Sequence, residues 1–239
     1  MTVVVLTVAP LLQAKPSQNP PPATLAMSVS SELPRAARRI LTRNDYVDRR
    51  SPHGARFFLG KYLCVQAHDG YAEGIITETE AYGGAKDKAS HAFGNKRTPR
   101  TEIIYSLGGA AYVYLCYGVH HLFNIVTGPL DSPEAVLVRT VRITDGHELV
   151  RQRRYGVRER DWCNGPGRVC AALGIGLDHN CHDLLLGEKI WIEDRGLQVP
   201  PRQVERAPRI GVDYAGTWAL KPWRFIWTQY VDIDKLPLS

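Results

Sequence analysis

Residues 135–144 constrain the fold most, because this stretch is largely apolar and yet contains Arg139. Apolar side chains fall on both alternating faces of the strand that it predicts, at Val136, Leu137, Val138, Val141 and Ile143. A strand that is apolar on both faces is typical of a sheet that is covered on both sides. Arg139 is therefore expected to be buried, and because a buried unpaired charge is very costly, a carboxylate should meet it.

Residues 71–81 predict a second strand, which carries two carboxylates. Glu78 and Glu80 are two positions apart, so a regular strand places both on one face, together with Tyr82. Either carboxylate is a candidate partner for Arg139. Partial burial raises the pKa of a carboxylate toward the range that suits acid or base catalysis. These residues leave two interpretations open, which are a general base held by an arginine and a purely structural ion pair.

Tyrosine and histidine side chains form a second group of candidates, at Tyr82, His91, Tyr112, Tyr114 and Tyr117. Their flat rings stack well on a purine, and their polar edges form hydrogen bonds. Cross-strand packing inside a sheet is the other interpretation of these tyrosines.

Residues 110–116 and 121–127 have strand character on either side of Tyr117 and Gly118, which predicts a β-hairpin with Tyr117 near its tip. A bulky side chain that projects from such a tip can fill the gap left when a nucleotide rotates out of duplex DNA. The second of these strands contains Asn124. Its amide either bonds the backbone in the core or reads a base edge.

Arginines cluster in residues 33–56, 95–100 and 151–160 of a chain with a net charge of +6. Such patches either converge on a polyanion or form a solvated basic face. In the second cluster, Arg97, Thr98 and Arg100 combine guanidinium and hydroxyl groups that can grip phosphate. Asn164-Gly165-Pro166-Gly167 precedes a predicted helix at residues 168–173, whose N-terminus is a second phosphate candidate or simply a turn.

The chain of 239 residues divides into two parts by composition. Residues 1–33 begin with an apolar stretch and continue into a proline-rich segment, which predicts a disordered tail. Residues 34–239 predict one domain. Further strands are expected at 62–67, 189–192, 209–212 and 224–228, and helices within 51–65 and 151–176. Many strands with few long helices favour an α+β fold that is mostly antiparallel.

Several classes of site are disfavoured by the sequence. Five cysteines, an odd number, are not a disulfide framework and indicate a reducing compartment. Cys163, Cys170 and residues 179–182 contain possible metal ligands, but their spacing matches no common zinc pattern. Nucleotide-binding, metalloprotease and serine-hydrolase motifs are absent. The sequence therefore predicts a hydrolase with an aromatic pocket and no metal or other cofactor.

An ordered set of motifs resembles the alkyladenine-DNA glycosylase family, also called the methylpurine-DNA glycosylases. The matching stretches cover residues 37 to 228 and are 75–82 (IITETEAY), 89–91, 97–100, 111–118 (AYVYLCYG), 123–125, 135–139, 164–167 and 208–212. The motifs around Glu80 and Tyr117 are specific when they occur together.

The resemblance implies a single α+β domain with a curved, mostly antiparallel sheet, surrounding helices and a protruding β-hairpin. It implies a monofunctional N-glycosylase of the 3-methyladenine II type, which flips out and hydrolytically excises alkylated purines in base excision repair. Hypoxanthine and ethenoadenine are further candidate lesions. The implied partner is double-stranded DNA with damaged purines, bound by a monomer without a cofactor or membrane. The expected location is with the DNA, in a bacterial cytoplasm or a nucleus.

The same resemblance assigns roles to individual residues. Glu80 matches the general base, and Arg139 matches the residue that holds the catalytic water with it. The other assignments are the pocket walls (Tyr82, His91, Tyr114), an amide that disfavours guanine (Asn124), the intercalating pair (Tyr117, Val119) and the DNA-backbone contacts (Arg97, Thr98, Arg100). Val119 stands where a longer apolar residue often lies, so a smaller wedge is expected. Glu78 is expected to support the structure.

Two other functions fit part of the pattern. A non-catalytic nucleic-acid-binding module explains the basic patches and tyrosines but gives the pairing of Glu80 with Arg139 no purpose. A metal-dependent nuclease would use Glu78, Glu80 and nearby histidines.

Overall fold

The computed structural model describes residues 38–229, whose strands all join one curled, antiparallel sheet in a mixed α+β fold. The nine strands of this part of the chain are β1 (Arg39–Ile40), β2 (Tyr62–Ala67), β3 (Gly70–Tyr82), β4 (Ala111–Cys116), β5 (His120–Thr127), β6 (Glu134–Asp145), β7 (Ile190–Asp194), β8 (Val204–Ala207) and β9 (Arg224–Trp227). Its α-helices are α1 (Arg43–Val47), α2 (His53–Phe57), α3 (His147–Arg153) and α4 (Pro166–Leu173). The predicted fold class is confirmed.

The two longest strands, β3 and β6, lie side by side at the centre of the sheet order β1-β7-β2-β3-β6-β5-β4. On its other edge β3 changes neighbour along its length. Its first half pairs with β2 as far as Ile75, and its second half pairs with β9 from Glu78 to Glu80. The carboxylates predicted from the sequence therefore lie where the sheet branches.

Two register shifts interrupt the pairing of β3 with β6 at this branch. Ile76 faces Val141, but Glu78 faces Thr140 and the next residue, Thr79, faces Val138. One residue on each strand, Thr77 on β3 and Arg139 on β6, is thus left without a partner in the ladder. Bulges of this kind bend a strand and re-aim its side chains. The pairing of β3 with β6 is regular from Thr79 to Tyr82.

Helix α4 covers one face of the sheet and borders the site described below. It begins at Pro166, where a missing N–H is tolerated, and ends at Leu173, which is followed by Gly174, whose φ of 73° is in the left-handed region. Val169 and Leu173 are fully buried in the main core. The core thus fixes the first turn of this helix beside β5 and β6.

The predicted strands at 62–67, 71–81, 110–116, 121–127, 135–144, 189–192 and 224–228 are confirmed, with ends shifted by a residue or two. The predicted strand at 209–212 is wrong. The backbone N–H of Ile210 binds a side chain, and Gly211 has a φ of 74°, so no ladder forms there. Strands β1 and β8 were not predicted.

The predicted helix within 51–65 shortens to five residues in α2, because the chain turns at Gly60, which has a φ of 80°. Within 151–176 the predicted helices correspond to the end of α3 and to α4. No helix among residues 38–229 is long and apolar enough to cross a membrane. The tail predicted for residues 1–33 lies outside the described residues.

Candidate active site

A pocket of about 770 Å³ opens between the β4–β5 hairpin, β6, the first turn of α4 and the loop at residues 210–214. This volume is within the range of small-molecule sites. The pocket brings together most of the residues singled out from the sequence, namely Tyr82, His91, Tyr114, Tyr117, Asn124 and Arg139.

Glu80 lies behind this pocket with a side chain that is 0% exposed. Its Oε1 accepts a hydrogen bond from the backbone N–H of Ile210 at 2.8 Å and lies 3.2 Å from Nη1 of Arg139. Its Oε2 accepts a hydrogen bond from the hydroxyl of Tyr82 at 3.0 Å. Burial raises the pKa of Glu80 above its ordinary value, and the charge of Arg139 and these two donors offset only part of that rise.

Arg139 is 8% exposed and lies between both candidate carboxylates. Its Nε donates to Glu78 at 3.2 Å, while Nη1 faces Glu80. Glu78 also accepts from the hydroxyl of Thr140 at 2.8 Å and from Nη1 of Arg224 at 2.9 Å. The prediction that a carboxylate meets the buried arginine is confirmed, and both carboxylates do so. Glu78 is anchored on three sides, so it orients the arginine.

The carboxylate of Glu80 does not itself form part of the pocket wall. Its partners Tyr82, Arg139 and Ile210 line the pocket in front of it. A carboxylate oxygen has two lone pairs, and among residues 38–229 only Tyr82 is bonded to Oε2. The arrangement can therefore accept a proton from a water molecule held between these partners, in surroundings that exclude bulk solvent.

An aromatic cluster forms one wall of the pocket. The ring of His91 lies 4.8 Å from that of Tyr114, and the ring of Tyr112 lies 5.1 Å from Tyr114. Nδ1 of His91 is 2.8 Å from the hydroxyl of Tyr112. Burial, followed by the charges of Arg100 and Lys96, lowers the pKa of His91 to about 4. The imidazole is therefore neutral at neutral pH and offers one donor and one acceptor.

The amide of Asn124 bonds to the backbone and also lines the pocket. Its Nδ2 donates to the carbonyl oxygen of Tyr112 at 3.3 Å, and the buried side chain also lines the pocket. The two interpretations left open by the sequence are thus compatible.

The β4–β5 hairpin projects Tyr117 from its tip, as predicted. Cys116 pairs with His120, so the turn contains three residues, and its first two residues, Tyr117 and Gly118, have positive φ. The side chain of Tyr117 is 90% exposed and that of Val119 is 69% exposed. Two apolar side chains therefore stand free of the core beside the pocket mouth.

The three residues predicted to bind phosphate, Arg97, Thr98 and Arg100, have different surroundings in the structure. Arg97 forms ion pairs with Glu102 and Asp131, at 2.7 and 2.8 Å. The hydroxyl of Thr98 is 3.1 Å from that of Thr101. Both predicted side chains thus have partners within the protein.

Arg100, from the same loop, lies in the pocket wall with its guanidinium carbon 4.9 Å from the ring centre of Tyr114. The structure therefore brings only this member of the loop to the aromatic cluster. DNA-backbone contacts by Arg97, Thr98 and Arg100 remain predictions.

The backbone donor of Ile210 is the main functional group that the sequence did not identify. Its loop is fixed by Arg209, which forms hydrogen bonds at 2.5 and 2.9 Å to the carboxylate of Asp87 in a pair that is fully buried. The cost of burying an unpaired arginine, which predicted a partner for Arg139, applies equally to Arg209. The same argument could have predicted that a carboxylate pairs with Arg209. Further pocket residues that were not identified are Ile104, Leu122, Arg154, Val212 and Tyr214.

Metal-binding side chains come together elsewhere in the protein. Among residues 38–229, one group of three has suitable spacing, formed by Cys64, Glu73 and Glu193. The guanidinium of Arg195 contacts all three of these side chains and supplies the positive charge. The possible ligands at Cys163, Cys170 and residues 179–182 do not form such a group within this part of the chain.

Comparison with known proteins gives a consistent result. The model of the methylpurine-DNA glycosylase family matches residues 45–230. Relatives named as 3-methyladenine DNA glycosylases include one from Chlamydia felis, 41% identical over 174 residues, which cover 72% of this chain and 88% of the relative. One from Bacillus licheniformis is 42% identical over 171 residues (72% and 85%), and one from Psychrobacter cryohalolentis is 40% identical over 189 residues (74% and 87%).

Proposed function

The chain belongs to the methylpurine-DNA glycosylase family, and on that premise we propose that it hydrolyses the N-glycosidic bond of alkylated purines in double-stranded DNA. The family makes it a DNA glycosylase that acts in DNA repair. The observation that carries the hydrolytic mechanism is the buried carboxylate of Glu80, ion-paired to Arg139 behind an aromatic pocket.

The purine binds in the aromatic pocket after its nucleotide rotates out of the duplex. Tyr82 and the pair of Tyr114 and His91 offer ring faces and edges to the base. Alkylation places positive charge on the purine, which strengthens its attraction to aromatic faces and makes it a better leaving group. Asn124 adds an amide to the same wall, where it can oppose an additional amino group on the base.

Glu80 then acts as the general base. It accepts a proton from a water molecule held beside Arg139, and the water oxygen bonds to the anomeric carbon of the sugar. The bond from that carbon to the purine nitrogen breaks, and its electron pair leaves with the base. The carboxylate also stabilises oxocarbenium character at the sugar. The products are a free purine and an abasic site, and no covalent intermediate with the enzyme forms.

The pocket and the catalytic pair come from a single chain, which supports action as a monomer. Membership of a DNA glycosylase family supports a location with the cell's DNA. Arg97, Thr98, Arg100 and the first turn of α4 are the proposed contacts to the DNA backbone. Positive groups and backbone N–H groups at a helix N-terminus suit phosphate oxygens.

The activity is tested with duplexes that each carry one 3-methyladenine, hypoxanthine or ethenoadenine, incubated with the chain in excess EDTA. We expect chromatography to detect the free base, and strand breaks to form only after alkali treatment. Binding without base release would favour a recognition module, and strand cleavage in a parallel reaction with Mg²⁺ that is absent in EDTA would favour a nuclease. Either result would refute the proposal, and the panel also defines the lesion range.

Replacement of Tyr117 by serine is expected to weaken binding of a lesion-containing duplex by about tenfold or more. The tyrosine fills the vacated stack, and unstacking a base step costs a few kcal/mol that an inserted side chain helps to offset. Tyr155→Ser is the matched control, because Tyr155 is 91% exposed and also precedes a glycine of positive φ. Equal affinities of the two variants in a fluorescence titration would contradict the intercalating role.

A further inference from the structure

A buried ion pair holds the loop that carries Ile210 against the end of β3. Arg209 donates to the carboxylate of Asp87 through two nitrogens, at 2.5 and 2.9 Å, and both side chains are 0% exposed. The same guanidinium donates to the carbonyl oxygens of Ala81, at 2.8 Å, and Trp218, at 3.2 Å. Arg209 is therefore fixed by four hydrogen bonds to separate segments of the chain.

Asp87 extends these contacts to the loop that follows β3. Its two carboxylate oxygens accept the backbone N–H groups of Gly83 and Ala89, each at 3.0 Å. The carbonyl oxygen of Ala89 in turn accepts the hydroxyl of Tyr214 at 3.1 Å. Ala89 and Tyr214 both line the pocket. The ion pair thus joins two loops that form part of the pocket wall.

The two uncharged donors to Glu80 each lie next to a group that Arg209 holds. Ile210, whose N–H binds Oε1, directly follows Arg209 in the chain. Tyr82, whose hydroxyl binds Oε2, directly follows Ala81, and the guanidinium carbon of Arg209 lies 4.9 Å from its ring centre. A cation over an aromatic face is attracted to the ring. A shift of Arg209 would therefore displace both donors.

We propose that Arg209 is a positioning residue, which acts through Ile210 and Tyr82 to hold the carboxylate of Glu80 in the orientation that faces the attacking water. The two donors bind different oxygens of that carboxylate, so displacement of either one turns it. A misplacement of about 1 Å near a reacting group can lower the rate by about 10²-fold. The effect on the reaction rests on the proposed glycosylase function, whereas the orientation of Glu80 does not.

A double variant, Arg209→Met with Asp87→Asn, separates this role from a purely structural one. Loss of the arginine alone would leave the carboxylate of Asp87 buried without a cation, which is strongly destabilising. The double variant removes one charge of each sign, so a change at Glu80 reports the lost contacts and not a change in net charge. The new amide oxygen can still accept one of the backbone N–H groups that Asp87 binds.

Arg43→Met with Asp183→Asn is the matched control. Arg43 likewise pairs with a carboxylate, at 2.7 Å, and donates to the carbonyl oxygen of Gly108, at 2.8 Å. Asp183 also accepts a backbone N–H group, that of Leu185, at 3.1 Å. Within the described residues, both members of this pair lie outside the pocket wall.

The orientation of Glu80 is tested without DNA, by ¹³C NMR titration of its carboxyl carbon, assigned through Glu80→Gln. Both donors stabilise the ionised form, so the pKa of Glu80 should be higher in the double variant than in wild type and unchanged in the control. Arg209→Lys, which has three donors for four hydrogen bonds, should give an intermediate value. A wild-type titration in the folded double variant would overturn the proposal. If the double variant does not fold, a wild-type titration in Arg209→Lys would overturn it.

The effect on catalysis is tested by single-turnover excision from a duplex that carries one lesion, at a pH where Glu80 is ionised. The rate should fall by about 10- to 100-fold in the double variant, while the affinity for the duplex and the rate of the control stay at wild-type values. A wild-type rate in the double variant would overturn the catalytic part of the proposal. Release of no base by the wild type would instead refute the proposed function, and the titration would still decide whether Arg209 positions Glu80.

Discussion

Replacement of Glu80 by glutamine is expected to lower the rate of base excision by about 10²- to 10⁴-fold while the damaged duplex remains bound. Glutamine keeps the shape of the side chain and can still accept the N–H of Ile210, but it cannot take a proton from water. Single-turnover excision and duplex affinity, measured on the same lesion, separate these two effects.

The same variant has a distinctive effect on stability. Burial raises the pKa of Glu80 in the folded state, so ionisation of this group opposes folding. The protonated carboxyl group of Glu80 contributes fully to the stability of the folded state at acid pH. This contribution is lost as the pH rises through the raised pKa of Glu80 in the folded state. The free energy of unfolding of Glu80→Gln should therefore improve relative to wild type as the pH increases from acid to neutral. Denaturant titrations at several pH values measure this difference.

Glu78→Gln is the matched control for both measurements. Glu78 binds Arg139, Thr140 and Arg224 rather than facing the proposed water, so its amide should reduce excision less. Base release by Glu80→Gln at a rate near that of wild type would remove Glu80 from the role of general base. A stability difference that does not change with pH would contradict the raised pKa.

The sequence predicted those parts of the site that depend on local burial. Arg139 lies in an apolar strand, and the high cost of an unpaired buried charge was enough to predict its contact with a carboxylate. Strand alternation placed Glu78, Glu80 and Tyr82 together. The position of Tyr117 followed from turn chemistry. Each of these inferences needed only residues that are near one another in the chain.

Features that depend on distant pairing were not predictable in the same way. The bulges at Thr77 and Arg139 lie where β3 changes partner from β2 to β9, and β9 is far away in sequence. The predicted strand at 209–212 failed for a related reason. The backbone N–H of Ile210 in this stretch donates to the carboxylate of Glu80, and the apolar character of the neighbouring residues does not predict such a contact.

Replacement of Arg139 by methionine is expected to have the largest effect on stability, a loss of about 3–5 kcal/mol in the free energy of unfolding at neutral pH. The variant leaves the buried carboxylate of Glu80 and the partly buried carboxylate of Glu78 with one cation fewer between them. Glu78 retains Arg224 and Thr140, whereas Glu80 retains the N–H of Ile210 and the hydroxyl of Tyr82, which are both uncharged donors. Denaturant unfolding measures the loss, and Arg139→Lys, which keeps the charge, should show a smaller one.

The same substitution also tests how Glu80 is kept in its active form. Arg139 lowers the pKa of Glu80 against the effect of burial, so its removal raises that pKa further. The base must be ionised to accept a proton, and the acid limb of the excision rate against pH should therefore move to higher pH. Arg224→Met, which removes a cation from Glu78 alone, should leave that limb in place. If the acid limb of the excision rate lies at the same pH in Arg139→Met and wild type, the arginine holds the carboxylate of Glu80 in position without controlling its ionisation.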